Sequence, residues 1–166
     1  MYRITLNGHL IHDPRVNDLQ VIAPKLTLEA NKIGSLSFGM HEAHEFYNRA
    51  EKLSSIVAVY RDSAQNPIFM GRVLSSGTAM NGTVTYQCEE LSAYLLDSVF
   101  RPFSYQGGLQ DFFEQVLAAH NAQVESYKRI HPGTVTVTDS NDYIARSSVE
   151  YLSCWEVLTS RLVDTH

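Results

Sequence analysis

Basic charge, cysteine pairs and long apolar runs are what this sequence has least of, and each shortage removes a class of function. Thirteen lysines and arginines stand against eighteen acidic residues, for a formal net charge of −5. No basic stripe exists to track a phosphate backbone, which argues against a nucleic-acid reader or a binder of anionic membranes. The only two cysteines, Cys88 and Cys154, lie far apart and make no C-x-x-C pattern. They are expected as packed thiols of a protein assembled in a reducing cytoplasm rather than as a disulfide framework. No apolar run approaches the roughly 18 residues a spanning helix needs. The N-terminus, MYRITLNGHLIHDP, has no basic region ahead of an apolar one. A soluble chain without membrane insertion is expected. The sequence also lacks a Walker loop, a dinucleotide fingerprint and zinc-knuckle spacing. Its 166 residues suit one large domain or two small ones, enough to bury a core without staples.

What the first half does have is alternation with period two, the pattern of strands with one buried face. Asn7-Gly8, between two β-prone runs, predicts an opening hairpin, because a type I′ turn needs two residues that tolerate positive φ. KLTLEAN sets Leu26, Leu28 and Ala30 opposite Lys25, Thr27 and Glu29. GSLSFGM sets Leu36, Phe38 and Met40 opposite Ser35, Ser37 and Gly39, and these two runs should pair. SIVAVYRD is apolar on both faces and should be covered on both. IFMGRVLSS and TVTYQCEE follow, the latter turning Val84, Tyr86 and Cys88 inward. About seven short strands by residue 90 suggest an antiparallel barrel or sandwich. One short helix, HEAHEFYNRAEKL (41–53), is expected to interrupt them, with Ala43, Phe46, Ala50 and Leu53 as its buried stripe.

The period changes in the second half. GLQDFFEQVLAAHNAQV places Leu109, Phe112, Phe113, Val116, Leu117 and His120 on one helical stripe. TVTVTD reads as a single strand turning Val135 and Val137 one way. A last helix begins at SCWEVLTSRLV, where Ser153 and Glu156 form an S-x-x-E capping box and Trp155, Leu158 and Leu162 a stripe. Pro102 and Gly107-Gly108 break the pattern at FRPFSYQGG, which puts a domain boundary there. The expected class is α+β: an antiparallel β-barrel over 1–98 with one inserted short helix, then a small partial α/β domain over 99–166. Two helices and one clear strand have too little sheet to cover them, and no glycine cap closes the last helix. The second domain is therefore expected to be truncated at its C-terminus.

Three stretches and one histidine suggest chemistry. HEAH resembles a zinc-peptidase helix, with Glu42 between two histidines. That motif needs its histidines at i and i+4 so that both imidazoles reach one ion, whereas His41 and His44 stand at i and i+3. No third ligand is placed, and a solvated helix start is the preferred reading. SLSFG lacks the first glycine of a nucleophile elbow, and Ser37 sits in an alternating strand. DSNDY, with Asp139, Asn141 and Asp142, has the first two ligand positions of a calcium loop, then fails with Tyr143 at the fifth place and Ile144 where glycine should be. It reads as turn chemistry. His120, at the edge of an apolar stripe, reads as a partly buried packing residue. No catalytic constellation and no cofactor is expected.

A resemblance goes further than the motifs. The stretches IGSLSFGMHEAHEFYNRAEKLSSIVAVYRD, IFMGRVLSS, YQCEELSAYLLDSVFRPFSYQGGLQDFFEQVLAAHNAQV and VTVTDSNDYIARSSVEYLSCWEVLTSRLVD together resemble the N-terminal region of tailed-phage tail-tip proteins. That family comprises baseplate-hub and tail-associated-lysin proteins, also labelled prophage endopeptidase tail. Its G-S-x-S-F strand, its segment containing His and Tyr, and its Leu-Ser-Ser-Ile-Val-like strand correspond here to Gly34 to Phe38, His44 with Tyr47, and Leu53 to Val57. Where the family often reads His-Pro, this chain has His44-Glu45.

The resemblance implies a virion structural protein. It would be a homotrimeric ring of barrel domains of the tail-tube type, joining the tube to the tip beside the distal-tail and tape-measure proteins and letting DNA pass. It would be made in the bacterial host cytoplasm, with any lytic activity in C-terminal domains beyond this chain. The net negative charge is compatible with a conduit to which DNA does not stick. Phe46 and Tyr47 are the candidates for a subunit interface. Two other readings are kept: a metal-dependent peptidase or cell-wall hydrolase using His41, Glu42 and His44, and a host-surface binding module suggested by the aromatic content.

Overall fold

The computed structural model describes residues 1–79, 81–134, 136 and 143–163, the last without its side chain. The chain forms two compact units, Met1–Leu91 and Ser92–His166. They divide a few residues before the expected boundary at FRPFSYQGG, because Leu95 and Phe100 already belong to the second apolar core.

The first unit is a single antiparallel sheet. Its strands are β1 (Tyr2–Leu6), β2 (His9–His12), β3 (Ile22–Thr27), β4 (Ser35–Met40), β5 (Ile56–Arg61), β6 (Phe69–Thr78) and β7 (Val84–Glu90), in the spatial order β2-β1-β5-β6-β7-β4-β3. The β1–β2 hairpin turns at Asn7 and Gly8, with φ of 49° and 83°, as the type I′ signal requires. β3 pairs with β4, with Leu26 opposite Leu36. Period-two alternation sends Ile4, Leu36, Phe38, Val57, Val59, Val73, Tyr86 and Cys88 into one buried cluster. Phe38 and Tyr86 face each other across the β4–β7 ladder, ring centroids 5.3 Å apart. Ala58, on the opposite face of β5 from Val57 and Val59, is buried as well.

The sheet curls into a half-barrel, and no ladder joins β2 to β3 among the described residues. The reason lies in β3. Pro24 has no N–H to donate, Ala23 takes a φ of 45°, and the register shifts between Ile22 and Lys25. Such an edge cannot run a continuous ladder, and the connection after β2 folds on itself instead. There the Asp13 amide donates to the Leu19 carbonyl at 2.8 Å, and the Val21 amide donates to His12 Nδ1 at 3.2 Å.

The second unit packs α1 (Leu109–Asn121) and α2 (Cys154–Leu158), which runs into a π-helical turn over Thr159–Val163, with two short two-stranded sheets. β8 (Val99–Phe100) pairs with β11 (Leu152–Ser153), and β9 (Phe103–Gly108) pairs with β10 (Tyr143–Ser148). FRPFSYQGG, read in sequence as a break, thus contains strands. The two-residue β8 and β11 are too short to alternate visibly, and β9 ends in two glycines. Phe112, Val116, Leu117 and His120 are the buried face of α1. Ser153 and Glu156 make the expected capping box in full: the Ser153 hydroxyl accepts from the Glu156 amide and the Glu156 carboxylate accepts from the Ser153 amide. Val135 and Val137 of the expected strand lie outside the described residues.

Candidate functional site

HEAHEFYNRAEKL is not a helix. Residues 41–48 form consecutive tight turns, in which the His44 amide bonds the His41 carbonyl and the Tyr47 amide bonds the His44 carbonyl, each at 2.9 Å. The histidines themselves divert the backbone. His41 Nδ1 accepts from the Ala43 amide at 3.3 Å, and His44 Nδ1 accepts from the Phe46 amide at 3.1 Å. The second bond takes the Phe46 amide, which a helix over this stretch would have directed to the Glu42 carbonyl. Asn48, at φ 56°, then turns the chain away.

The buried face also differs from the expected stripe. Ala43 and Leu53 are exposed, Phe46 and Ala50 are half-buried, and the buried residue is His44, 7% exposed. Because its Nδ1 is an acceptor, Nε2 carries the proton and donates to the Ile11 carbonyl at 2.9 Å. Both ring nitrogens are therefore committed to the main chain. His41 and Glu42 are exposed. Among the described residues no group of three or more His, Cys, Asp or Glu side chains is placed to hold a metal ion.

Phe46 and Tyr47 pack against the core cluster of their own unit. Phe46 stacks on His9 with centroids 5.7 Å apart and lies under the Arg49 guanidinium. The Tyr47 hydroxyl donates to the Gly82 carbonyl at 2.8 Å. The segment is a plug laid over the half-barrel core and pinned at each end. The Tyr86 hydroxyl is buried beneath it against the Asn48 and Ala50 backbone, without full hydrogen-bond geometry, and burial pushes its pKa up. Burial likewise pulls the pKa of His12 down, opposed by the charge of Asp13. Asp13 is clamped by Arg15, whose Nη2 lies 2.6 Å from Oδ2, and these hydrogen bonds hold the carboxyl well below the usual range.

The half-barrel leaves two features open. Between β1 and β3 lies a cavity of about 670 Å³ lined by Ile4, Leu26, Leu36 and Val59, with His12 at its rim. The second is the far end of β6. β5 runs beside β6 only as far as Val73, where Val73 exchanges main-chain hydrogen bonds with Leu53 and Ser55. A bulge at Leu74 then bends the strand. Ser75 to Thr78 pair with β7 on one side, and no ladder partner lies on the other among the described residues. This edge, LSSGT, is exposed and carries neither charge nor proline. The sheet's other edges are blunted: β3 holds Pro24 and a register shift, and β2 has only four residues.

The second unit holds a buried polar cluster. His120 Nε2 donates to the Lys128 carbonyl at 3.1 Å, so Nδ1 accepts from Ser98 Oγ at 2.7 Å, and the Cys154 thiol is hydrogen-bonded to Ser98. His120 is wholly buried, as are Ser98 and Cys154. Serine and histidine meet here as in a nucleophilic dyad, but a peptide carbonyl stands where a carboxylate would orient the ring, and the hydroxyl is sealed from solvent. The cluster ties β8 to α1. The adjacent Asn121 clamps Ile130 through both amide and carbonyl, at 2.8 and 2.9 Å. A polar run, HNAQ, closing an apolar helix was the available signal for these anchors. Ser37 lies in β4 opposite Gln87, a strand serine as read. Asp139, Asn141 and Asp142 lie outside the described residues.

The fold so far defines an α+β protein whose first unit is a curled, open antiparallel sheet. Compared with known proteins, the sequence matches no protein-family model and none of the curated proteins.

Proposed function

We propose that this chain is an architectural part of a phage or prophage tail tip, a baseplate-hub segment that assembles as a homotrimeric ring between tail tube and tip and lets DNA pass. The observation that carries the reading is the unprotected edge of β6. Monomeric sheets commonly blunt their edges with charge, proline or covering elements, whereas Ser75 to Thr78, beyond the bulge at Leu74, carry neither charge nor proline and have no ladder partner on their outer side among the described residues. A ring of identical subunits pairs such edges in turn. The collinear resemblance to tail-tip proteins supports the same reading. In it the HEAHEFYN segment is a plug rather than a catalytic helix, and the chain works without cofactor or catalysis.

The test is the sedimentation of the full-length gene product with Ser76 unchanged, as Ser76→Lys and as Ser76→Thr. The reading expects a trimer for the first and third, and a folded monomer for the lysine variant, because a charge on the paired edge is left facing another strand. A monomer at every concentration for all three, together with absence of the protein from purified tail particles, would falsify it.

A further inference from the structure

We propose that the outer edge of β8 is a docking site for an extended peptide segment bearing an acidic side chain, and that Gln123 holds the place of that segment's first peptide group while the site is empty. The Gln123 carboxamide makes both bonds of a strand partner. Its Oε1 accepts from the Val99 amide at 3.0 Å, and its Nε2 donates to the Val99 carbonyl at 2.9 Å. A primary amide presents the same donor and acceptor as a peptide group, so this pair reproduces one closely spaced rung of an antiparallel ladder. The opposite edge of β8 is already used: Phe100 stands opposite Leu152, and the Cys154 amide donates to the Ser98 carbonyl at 3.1 Å.

Alternation along an extended chain turns the main-chain groups of Arg101 to the same side as those of Val99. They have no hydrogen-bond partner among the described residues. Beside this edge lies a cavity of about 580 Å³ bordered by Phe100, Phe103, Ala119 and Ala122, with Tyr151 at its rim. Val99 and Tyr151, 47% and 69% exposed, leave apolar surface facing solvent there. An extended chain would take over the two Val99 bonds from Gln123 and add what the place lacks, a peptide group for Arg101 and alternate side chains for the cavity. Charge decides the class of segment. The Arg101 side chain lines the cavity, is exposed, and makes no ion pair with a described residue. A carboxylate two positions along the incoming strand would meet its guanidinium.

The inference does not depend on the tail-tip reading, since it concerns the second unit alone. Its test is amide NMR on the whole 166-residue chain, titrated with an acetylated and amidated hexapeptide of alternating threonine and valine with one glutamate. Expected are shifts of the Val99 and Arg101 amides and of the Gln123 side-chain NH2, and weaker binding when lysine replaces the glutamate. Gln123→Ala should bind about tenfold more tightly, since two hydrogen bonds no longer compete with the ligand. Should Gln123→Ala fail to fold, the surface variant Arg101→Glu carries the test, with its preference reversed toward the lysine peptide. Three results would overturn the proposal: no shift at Val99 and Arg101 with peptide at millimolar concentration, equal binding of a backbone N-methylated peptide, or concentration-dependent shifts at Val99 without peptide. The last would assign the edge to a second copy of the chain.

Discussion

His44 donates its Nε2 proton to the carbonyl of Ile11, 2.9 Å away and 33 residues earlier in the chain, while Nδ1 takes the amide proton of Phe46. One side chain thus joins the β2 strand to the turn segment and determines the local path of both. The tautomer is dictated by these partners.

Replacing His44 should therefore cost stability. His44→Ala leaves the Ile11 carbonyl and the Phe46 amide without their partners, at a cost of about 2 kcal/mol or more in urea unfolding. His41→Ala, at an exposed position, should stay within about 0.5 kcal/mol. A metal site would instead make both substitutions lower bound zinc together, which elemental analysis of the purified variants would reveal.

Gly71 is a packing requirement of the β6–β7 ladder. A Cβ there would run into the Glu89 carbonyl and the Phe69 ring, so Gly71→Ala should destabilise by about 1–3 kcal/mol through strand displacement. Gly77 faces open space, and Gly77→Ala is the matched control, expected to leave the thermal midpoint nearly unchanged.

Burial pushes the Cys88 thiol up to about 12 from an ordinary 9.0. The unfolded chain loses this proton first as pH rises, so the folded state is the more protonated one between those values. Stability should fall with increasing pH from near the unfolded value until the folded group titrates. The slope should be shallower in Cys88→Ala, measured by urea midpoints at successive pH. Native Cys88 should also react with a thiol reagent only as fast as the first unit opens.

The capping box supports α2, a helix of only five residues. Ser153→Ala removes the acceptor of the Glu156 amide and should cost about 1 kcal/mol. Ser153→Thr, which keeps both the acceptor and the hydroxyl that donates to Glu156 Oε2 at 2.9 Å, should recover most of that loss; a chemical denaturation series over the three chains is the measurement.

Much of the first unit was readable because a half-buried strand must alternate. The hairpin at Asn7-Gly8, the β3–β4 pair and the inward set Val84, Tyr86 and Cys88 all follow from local pattern and turn chemistry. The plug was misread for the opposite reason. Its apolar spacing suits a helix, but the outcome depended on hydrogen bonds from His41 and His44 that periodicity does not contain. Barrel closure was equally out of reach, since Pro24 marks an edge only once the neighbours of β3 are known. In the second unit, Gln123 and His120 act on backbone that the sequence places far from them, at Val99 and Lys128.

Composition and period alone determined the class, the strand inventory of the first unit and the capped start of α2, because each depends on residues within a turn or two of one another. Tertiary structure decided which edges stay open, that His44 is a buried strut rather than a solvated helix start, and that the strands of the second unit exist. Those outcomes rest on contacts between distant segments, where a single carbonyl or amide supplied from elsewhere outweighs local preference.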